Sequence, residues 1–145
     1  MWTYEHSVET PAGAGAVFAL FSDVATWPDW NAGVERVELY GPFSAGTAGT
    51  MVVPGGQRFE FRLIWTEEDR GFEDETLVPG AEVVVRVRHL LEHLSDGGTR
   101  ITYRCVIDGP AADEVGPDLG PAITADFPEV MAALSARAEA VPASR

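Results

Sequence analysis

The chain has 145 residues, of which 46% are hydrophobic and 10% aromatic, and its formal net charge at pH 7 is −13. A chain of this length forms one domain that buries enough apolar surface to fold without a disulfide or a metal ion. All ten basic residues are Arg. So acidic a surface repels phosphate backbones and anionic lipid head groups, which excludes nucleic acid as a main partner and disfavours stable membrane association.

The segment Met1 to His6 has neither a basic start nor an apolar run, so it does not resemble a signal peptide. No uninterrupted apolar stretch approaches the ~20 residues of a membrane-spanning helix. The single cysteine, Cys105, has no partner for an internal disulfide. We therefore expect a cytoplasmic protein.

The N-terminal part of the chain predicts one strand followed by two helices. Apolar and polar residues alternate over Trp2–Thr10, as in a half-buried strand. The segment Ala12–Ser22 carries a single apolar stripe typical of an amphipathic helix. Within Asp23–Asn31, Pro28 breaks any continuing helix and suits the first turn of a new, short one.

The middle of the chain alternates with a period of two residues, which predicts six strands. Gly and Pro residues between these segments mark short turns, so that neighbours in sequence pair antiparallel as a meander. The predicted strands are Val34–Tyr40, Thr47–Val53, Arg58–Thr66, Gly71–Leu77, Ala81–Ser95 and Thr99–Ile107.

The last part of the chain predicts one long helix. Its apolar stripe consists of Ile123, Phe127, Val130, Met131, Leu134 and Ala138. Pro121 fits near the start of this helix, and Pro128 is expected to kink it rather than end it, because the stripe continues beyond. The pattern predicts a single α+β domain over residues 1–145, in which a strongly curved antiparallel sheet wraps around the C-terminal helix, with a frayed tail from Val141 to Arg145.

Six stretches of the chain resemble one family of proteins. They are Val17–Asp23, Trp27–Asn31, Gly46–Thr50, Gly98–Thr102, Gly109–Pro110 and the final run through Leu134, Ala138 and Glu139. In these stretches the chain is similar to the START-related or helix-grip superfamily (SRPBCC), and above all to its bacterial polyketide cyclase/dehydrase-like branch. The resemblance implies a helix-grip fold with a ligand cavity between sheet and helix. It does not choose a function, because this superfamily includes enzymes, receptors, carriers and co-chaperone-like modules.

The predicted hairpins decide which side chains face the cavity. A three-residue loop at Asp96–Gly98 sets His89 opposite Cys105, and a Pro79-Gly80 turn sets Asp74 opposite Val85. The inner face so defined, with the apolar stripe of the last helix, gives the candidate ligand-binding residues. These are Trp30, Phe59, Phe61, Trp65, Phe72, Asp74, His89, Leu91, Tyr103, Cys105, Phe127 and Met131.

Catalytic chemistry has only weak support in this pattern. In the predicted register the Cβ atoms of His89 and Cys105 are about 5 Å apart, but a buried Cys has a raised pKa and usually serves as a small apolar side chain. Asp74 would lie roughly 13 Å from His89 along the sheet, so no third group orients the imidazole. His89 and His93 would be equally far apart, so we expect no metal site. If a reaction is catalysed, His89 is the candidate acid/base, with Tyr103 or Asp74 positioning an enol or carbonyl oxygen.

The resemblance also implies a possible mechanism, because aromatase/cyclases of this superfamily steer a polyketide with polar cavity groups that include an arginine. Alternation points Arg62, Arg86, Arg88 and Arg104 outward here, so that mechanism is not carried over. No phosphate-binding glycine loop and no dinucleotide fingerprint follows a strand, so we expect no cofactor.

Three functions remain open. The first is binding or carrying of a small hydrophobic ligand, such as a polyketide, a fatty acyl chain or a lipid, in the cavity. The second is a cyclase, aromatase or dehydratase-type enzyme that uses the same cavity without a metal or nucleotide cofactor. The third is a protein-interaction module with a filled cavity. We expect a monomer or a homodimer.

Overall fold

The computed structural model describes residues 1–78 and 80–140, so Pro79 and the predicted tail from Val141 to Arg145 lie outside the described residues. The α+β helix-grip architecture is confirmed, and the elements follow the predicted order except that two helices stand in place of the single C-terminal helix. The strands are β1 Trp2–Thr10, β2 Arg36–Leu39, β3 Ala48–Val52, β4 Arg58–Glu67, β5 Gly71–Val78, β6 Val83–His93 and β7 Thr99–Asp108. The helices are α1 Ala14–Ser22, a 3-10 turn Val24–Thr26, α2 Trp27–Trp30, α3 Ala112–Thr124 and α4 Phe127–Glu139.

The seven strands form one curved antiparallel sheet in the order β1-β7-β6-β5-β4-β3-β2. The meander from β2 to β7 is as predicted, and β1 pairs with β7 at the edge of the sheet. The helices cover one face: α3 and α4 pack against β1, and α4 packs against α1 as well. A search for helices long and apolar enough to span a membrane finds none in the described part of the chain.

Two hairpin registers differ from the prediction by two residues. The last loop is Ser95–Gly97, with Gly97 at φ +90°, and Gly98 already pairs with Leu94. A Cβ on Gly98 would lie 2.5 Å from the Thr10 carbonyl oxygen, so this glycine serves the close approach of two backbones rather than the turn. As a result His89 pairs with Tyr103 and not with Cys105.

The hairpin between β5 and β6 has a longer loop than the predicted Pro79-Gly80 turn, because Val78 pairs with Val83. Asp74 therefore pairs with Val87 instead of Val85, and Phe72 pairs with His89. A shift of two residues leaves each side chain on its predicted face, since successive side chains alternate between faces. It does bring Asp74 closer to His89, as a diagonal neighbour with Cβ atoms about 7–8 Å apart rather than roughly 13 Å.

A β-bulge in β4 overturns the predicted position of Trp65. The register shifts between Leu63, which pairs with Asp74, and Trp65, which pairs with Glu73. The extra residue turns Trp65 to the outer face of the sheet. There the guanidinium carbon of Arg88 lies 4.6 Å from the centroid of the Trp65 ring.

The C-terminal helix is interrupted at Ala125–Asp126, between α3 and α4. Pro128 occupies the first turn of α4, where its missing N–H costs nothing. Pro121, expected near the start of the helix, lies inside α3. The α3 segment packs closely on β1 because Gly116 and Gly120 leave room for Trp2: a Cβ on Gly120 would lie 2.5 Å from the Trp2 ring.

Candidate functional site

A cavity of about 680 Å³ lies between the inner face of the sheet and the helices, around the break between α3 and α4. Its wall is mostly apolar. Strands β5 and β6 supply Phe72, Asp74, Thr76, Val78, Val85, Val87 and His89, and β3, β4 and β7 supply Met51, Phe59 and Tyr103. The α2 region supplies Trp27, Trp30, Asn31 and Val34, and the two C-terminal segments supply Leu119, Ile123, Asp126, Phe127 and Val130.

Aromatic rings form one part of the wall. The rings of Phe72 and His89 stack at 3.9 Å between centroids, and Trp27 stacks on Phe72 at 5.6 Å. Tyr103 meets His89 edge-on at 4.5 Å and Phe127 at 5.5 Å. These contacts fix the rings against one another, so this part of the wall is preformed.

His89 is buried and uncharged. Its Nδ1–H donates a hydrogen bond to the Phe72 carbonyl oxygen at 3.2 Å, which leaves Nε2 as the acceptor nitrogen. Burial lowers the pKa of His89 to about 3, although the hydrogen bond to Phe72 opposes this shift. The imidazole therefore serves as a neutral hydrogen-bonding group at physiological pH and is poorly suited to be a general base.

Tyr103 brings a hydroxyl group to the cavity wall without a partner. The side chain is 3% exposed, and its OH has no hydrogen-bond partner among the residues that the structure describes. Burial, and then the negative charge of Asp74, raise the pKa of Tyr103 above its usual value. A buried hydroxyl of this kind gains free energy when a ligand or a water molecule supplies the missing hydrogen bond.

Asp74 lines the same cavity. Burial, and then the neighbouring charge of Glu73, raise the pKa of Asp74 to about 7, while backbone hydrogen bonding with Val87 lowers it. The carboxyl group is therefore close to its midpoint at neutral pH, where it can either donate or accept a proton. Asp74, His89 and Tyr103 thus border one cavity, although the predicted register had kept Asp74 away from the imidazole.

A second carboxyl group, Asp126, lines the cavity at the break between α3 and α4. Burial raises its pKa. A Cβ built on Gly33 would lie 3.1 Å from Asp126 Oδ2, so the carboxylate lies close to the backbone after α2. Sequence reasoning did not identify Asp126, because the only signal for a helix break at this point is Pro128.

Seven of the residues expected at the ligand site line the cavity: Trp30, Phe59, Phe72, Asp74, His89, Tyr103 and Phe127. Four others, Phe61, Leu91, Cys105 and Met131, are buried in the packed core. Trp65 lies on the outer face of the sheet because of the β4 bulge. The lining residues Val85, Val87, Thr76 and Val78 were missed, although alternation from His89 and Asp74 places them on the same face.

Cys105 is part of the core and not of a catalytic pair. It is fully buried, and burial, followed by the charge of Asp74, raises its pKa to about 11. Its cross-strand partner is Val87 rather than His89. Such a thiol is unreactive at neutral pH.

The arginines on the outer face of β6 are paired with glutamates of β5, away from the cavity. Arg86 bonds Glu75 and Arg88 bonds Glu73, each at 2.9 Å, and Arg62 and Arg104 are exposed. None of the cavity-lining residues is basic apart from the neutral His89. Within residues 1–78 and 80–140, no group of three or more His, Cys, Asp or Glu side chains could hold a metal ion.

Comparisons with known proteins agree with this architecture. A family model described as polyketide cyclase / dehydrase and lipid transport matches residues 1–139. A comparison with curated proteins by sequence gave no match.

Several solved structures share the fold. Norcoclaurine synthase from Thalictrum flavum superposes with a TM-score of 0.73 at 16% identity, covering 96% of this chain and 87% of that one. A protein from Mesorhizobium loti gives 0.76 at 10% identity, covering 97% and 98%. The di-domain ARO/CYC protein StfQ of the steffimycin biosynthetic pathway also gives 0.76 at 10% identity, covering 94% of this chain and 50% of that one. At these identities the likeness concerns the fold alone.

Proposed function

Because the chain belongs to the polyketide cyclase / dehydrase and lipid transport family, we propose that it binds and carries a small hydrophobic molecule of the polyketide, acyl-chain or lipid type. The observation that carries this proposal is the cavity of about 680 Å³ with its mostly apolar wall. Cavities of roughly 300–1,000 Å³ with a few polar groups are typical of small-molecule sites.

The form of the wall supports a binding role. Apolar side chains of β5, β6, α3 and α4 supply the area that favours an apolar ligand, and Asp74, His89 and Tyr103 supply a few fixed polar contacts that orient it. An interaction module with a filled core is less well supported, because the space between sheet and helix is open.

A titration with the neutral fluorescent probe N-phenylnaphthylamine tests the proposal. We expect saturable binding with one site per chain and a dissociation constant in the micromolar range. Val87→Phe is the matched variant, because Val87 lines the cavity and a larger side chain there fills it. This variant should bind at least about tenfold more weakly while unfolding at a similar temperature. No saturable binding, or equal binding by Val87→Phe, would contradict the proposal.

Enzymatic proton transfer is a second candidate, and one observation favours it. Asp74, with a pKa of about 7, and Tyr103 line the same apolar cavity, and the Tyr103 hydroxyl has no hydrogen-bond partner among the described residues. As a carboxylate, Asp74 would accept a proton from the carbon next to a ketone; the C–H electron pair would form the C=C bond of the enolate, and the π electron pair of the C=O bond would move to the oxygen. The Tyr103 hydroxyl would donate a hydrogen bond to that oxygen.

Deuterium exchange into beta-tetralone, followed by proton NMR, tests this second candidate. An enzyme of this kind should speed up exchange next to the ketone, with a rate that rises with pH up to about 7. Asp74→Asn should abolish the effect, while Tyr103→Phe should reduce it. Exchange at the same rate with the wild-type protein and with Asp74→Asn would contradict proton transfer by Asp74, and binding would then be the function proposed for the cavity.

A further inference from the structure

The ionisable groups of the cavity wall that can carry a charge at neutral pH are acidic, and no basic group balances them among the lining residues. Asp74 and Asp126 are acidic, and neither takes part in an ion pair among residues 1–78 and 80–140. His89, the nearest group that could become positive, has a pKa of about 3 and stays neutral. Both side chains are partly buried, and a partly desolvated carboxylate is stabilised when a positive charge comes close to it.

The arginines of the described residues do not supply that charge at the cavity wall. Arg86 and Arg88 flank Asp74's strand but lie on the outer face, where each bonds a glutamate of β5. The side chains of β5 alternate, so Glu73 and Glu75 hold the arginines outside while Asp74 faces the cavity. Among residues 1–78 and 80–140 no cation is paired with Asp74, so a cationic group on the ligand could fill that place.

Two further features of the wall favour a cation. Trp27, Trp30 and Phe127 line the cavity, and aromatic rings attract an ammonium group that lies over their faces within about 6 Å. The buried Tyr103 oxygen, which has no partner among the described residues, can accept a hydrogen bond from an N–H donor. A carboxylate ligand, by contrast, would meet two acidic side chains and no cation.

From this arrangement we propose that the ligand of the cavity is a hydrophobic amine, whose protonated amino group lies beside Asp74 and the Tyr103 hydroxyl while its apolar body fills the space beneath the α3–α4 break. This inference rests on the proposed binding function and narrows it to one chemical class.

The proposal makes binding depend on pH through Asp74. The titratable groups that surround Asp74 are Glu73 on its own strand, His89 on β6, Tyr103 and Cys105 on β7, and Asp126 between α3 and α4. Its β4 partner Leu63 and the lining residues after α2 carry no ionisable group. Because burial raises the pKa of Asp74 to about 7, Asp74 ionises as the pH rises from about 5.5 to about 8, and its ionisation should strengthen amine binding.

Three probes of one shape test the proposal: naphthylmethylamine, naphthalenemethanol and naphthaleneacetic acid, each measured by calorimetry. At about pH 8 the amine should bind about tenfold more tightly than the alcohol, and the acid should bind most weakly. At about pH 5.5, where Asp74 is mostly protonated, the amine should bind about tenfold more weakly than at pH 8, while the alcohol should be unaffected.

Variants assign the effect to one residue. Asp74→Asn should remove the preference for the amine and its pH dependence, and the near-identical shape of Asn should leave the fold intact. Glu75→Gln is the matched control, because Glu75 lies one position further along β5 and faces outward to Arg86; it should keep the preference. Should Asp74→Asn not fold, the pH dependence of the wild-type protein decides.

The outcomes separate this inference from the proposed function. Binding of the acid as tight as that of the amine at pH 8, or an unchanged preference in Asp74→Asn, would overturn the inference and leave hydrophobic binding in place. Failure of all three probes to bind would overturn the proposed function itself.

Discussion

The space between sheet and helices is solid at one end and hollow at the other. At the packed end, five side chains are 0% exposed: Val17 and Phe21 of α1, Ile101 of β7, and Met131 and Leu134 of α4. At the hollow end, Thr76, Val78, Val85 and Val87 face the cavity. On the inner face of β5 and β6, the side chains at the hollow end are short, which leaves space between the sheet and the C-terminal helices. The comparison teaches that one continuous layer of helix on sheet can both hold the fold together and leave room for a ligand.

The break between α3 and α4 contributes to the hollow end. The ring of a proline inside a helix clashes with the carbonyl four residues before it; for Pro128 this is the carbonyl of Thr124, where α3 ends. The break places Asp126 and Phe127 at the cavity. Beyond it, α4 continues the apolar stripe into the packed end, so one proline separates the two regions.

The largest expected effect comes from a charge at the packed end. Met131→Arg should lower the free energy of unfolding by about 4 kcal/mol or more, because it buries a charge without a partner. Urea unfolding measures this loss. Ala133→Arg is the control on the exposed side of the same helix and should change stability by less than about 0.5 kcal/mol. Equal effects of the two variants would mean that α4 does not pack as described.

The same substitution, Leu to Ala, can be made at the packed end and at the hollow end, and its cost in stability can be compared. Leu134→Ala should cost about 3 kcal/mol, because Leu134 is fully enclosed and its removal leaves a void. Leu119→Ala should cost less than about 1.5 kcal/mol, because Leu119 is half-buried and already borders the cavity. Chemical denaturation of both variants checks the difference, and equal losses would remove the distinction between packed and hollow ends.

Asp74, which lines the hollow end, should make the stability of the protein depend on pH. The folded-state pKa of Asp74, about 7, is above the 3.8 of an exposed aspartate, so the native state keeps a proton that the unfolded chain releases. Ionisation of Asp74 therefore costs stability as the pH rises from about 4 to about 7. Over this range Asp74→Asn should gain about 2 kcal/mol relative to the wild-type protein, less than the full shift would give because the carboxyl keeps some accessible surface.

His89 changes stability with pH in the opposite direction to Asp74. The effect of Asp74 is therefore measured as the difference in stability between the wild-type protein and Asp74→Asn. Its folded-state pKa is lowered from 6.5 to about 3, so the wild-type protein loses stability as the pH falls from about 6.5 towards 3. The difference between the wild-type protein and Asp74→Asn removes this contribution. A difference that stays constant between pH 4 and pH 7 would contradict the burial of Asp74.

The smallest effect is expected on the outer face. Trp65→Phe should change the affinity for N-phenylnaphthylamine by less than about twofold, because the β4 bulge turns Trp65 away from the cavity. Phe59→Ala, two residues before the buried Phe61 on β4, should weaken binding more, since Phe59 lines the cavity. A large loss of probe affinity in Trp65→Phe would place its ring at the inner wall after all.

The sequence predicts faces and elements well because both follow from local periodicity. Alternation placed Asp74, His89 and Tyr103 on the inner face, and a register error of two residues did not change that. Pairing was harder to predict, because it depends on loop geometry: Gly98 was assigned to the turn, whereas it serves close packing against Thr10.

The β4 bulge and the cavity itself had no local signal. No Gly or Pro marks the extra residue between Leu63 and Trp65, so alternation carried Trp65 to the wrong face. The cavity is lined by side chains from several strands and helices that are far apart in the sequence, so local periodicity does not predict its volume. The closeness of Asp74 to His89 and Tyr103 therefore emerges only from the three-dimensional structure.

Methyl NMR of Ile, Leu and Val side chains, recorded while N-phenylnaphthylamine is added, tests the central claim most directly. If the hollow end is the binding site, the methyl signals of Val85, Val87, Ile123 and Val130 should shift and saturate together. The signals of Val17, Ile101 and Leu134 at the packed end should move little. Shifts spread over exposed side chains such as Leu77, or confined to the packed end, would contradict the account.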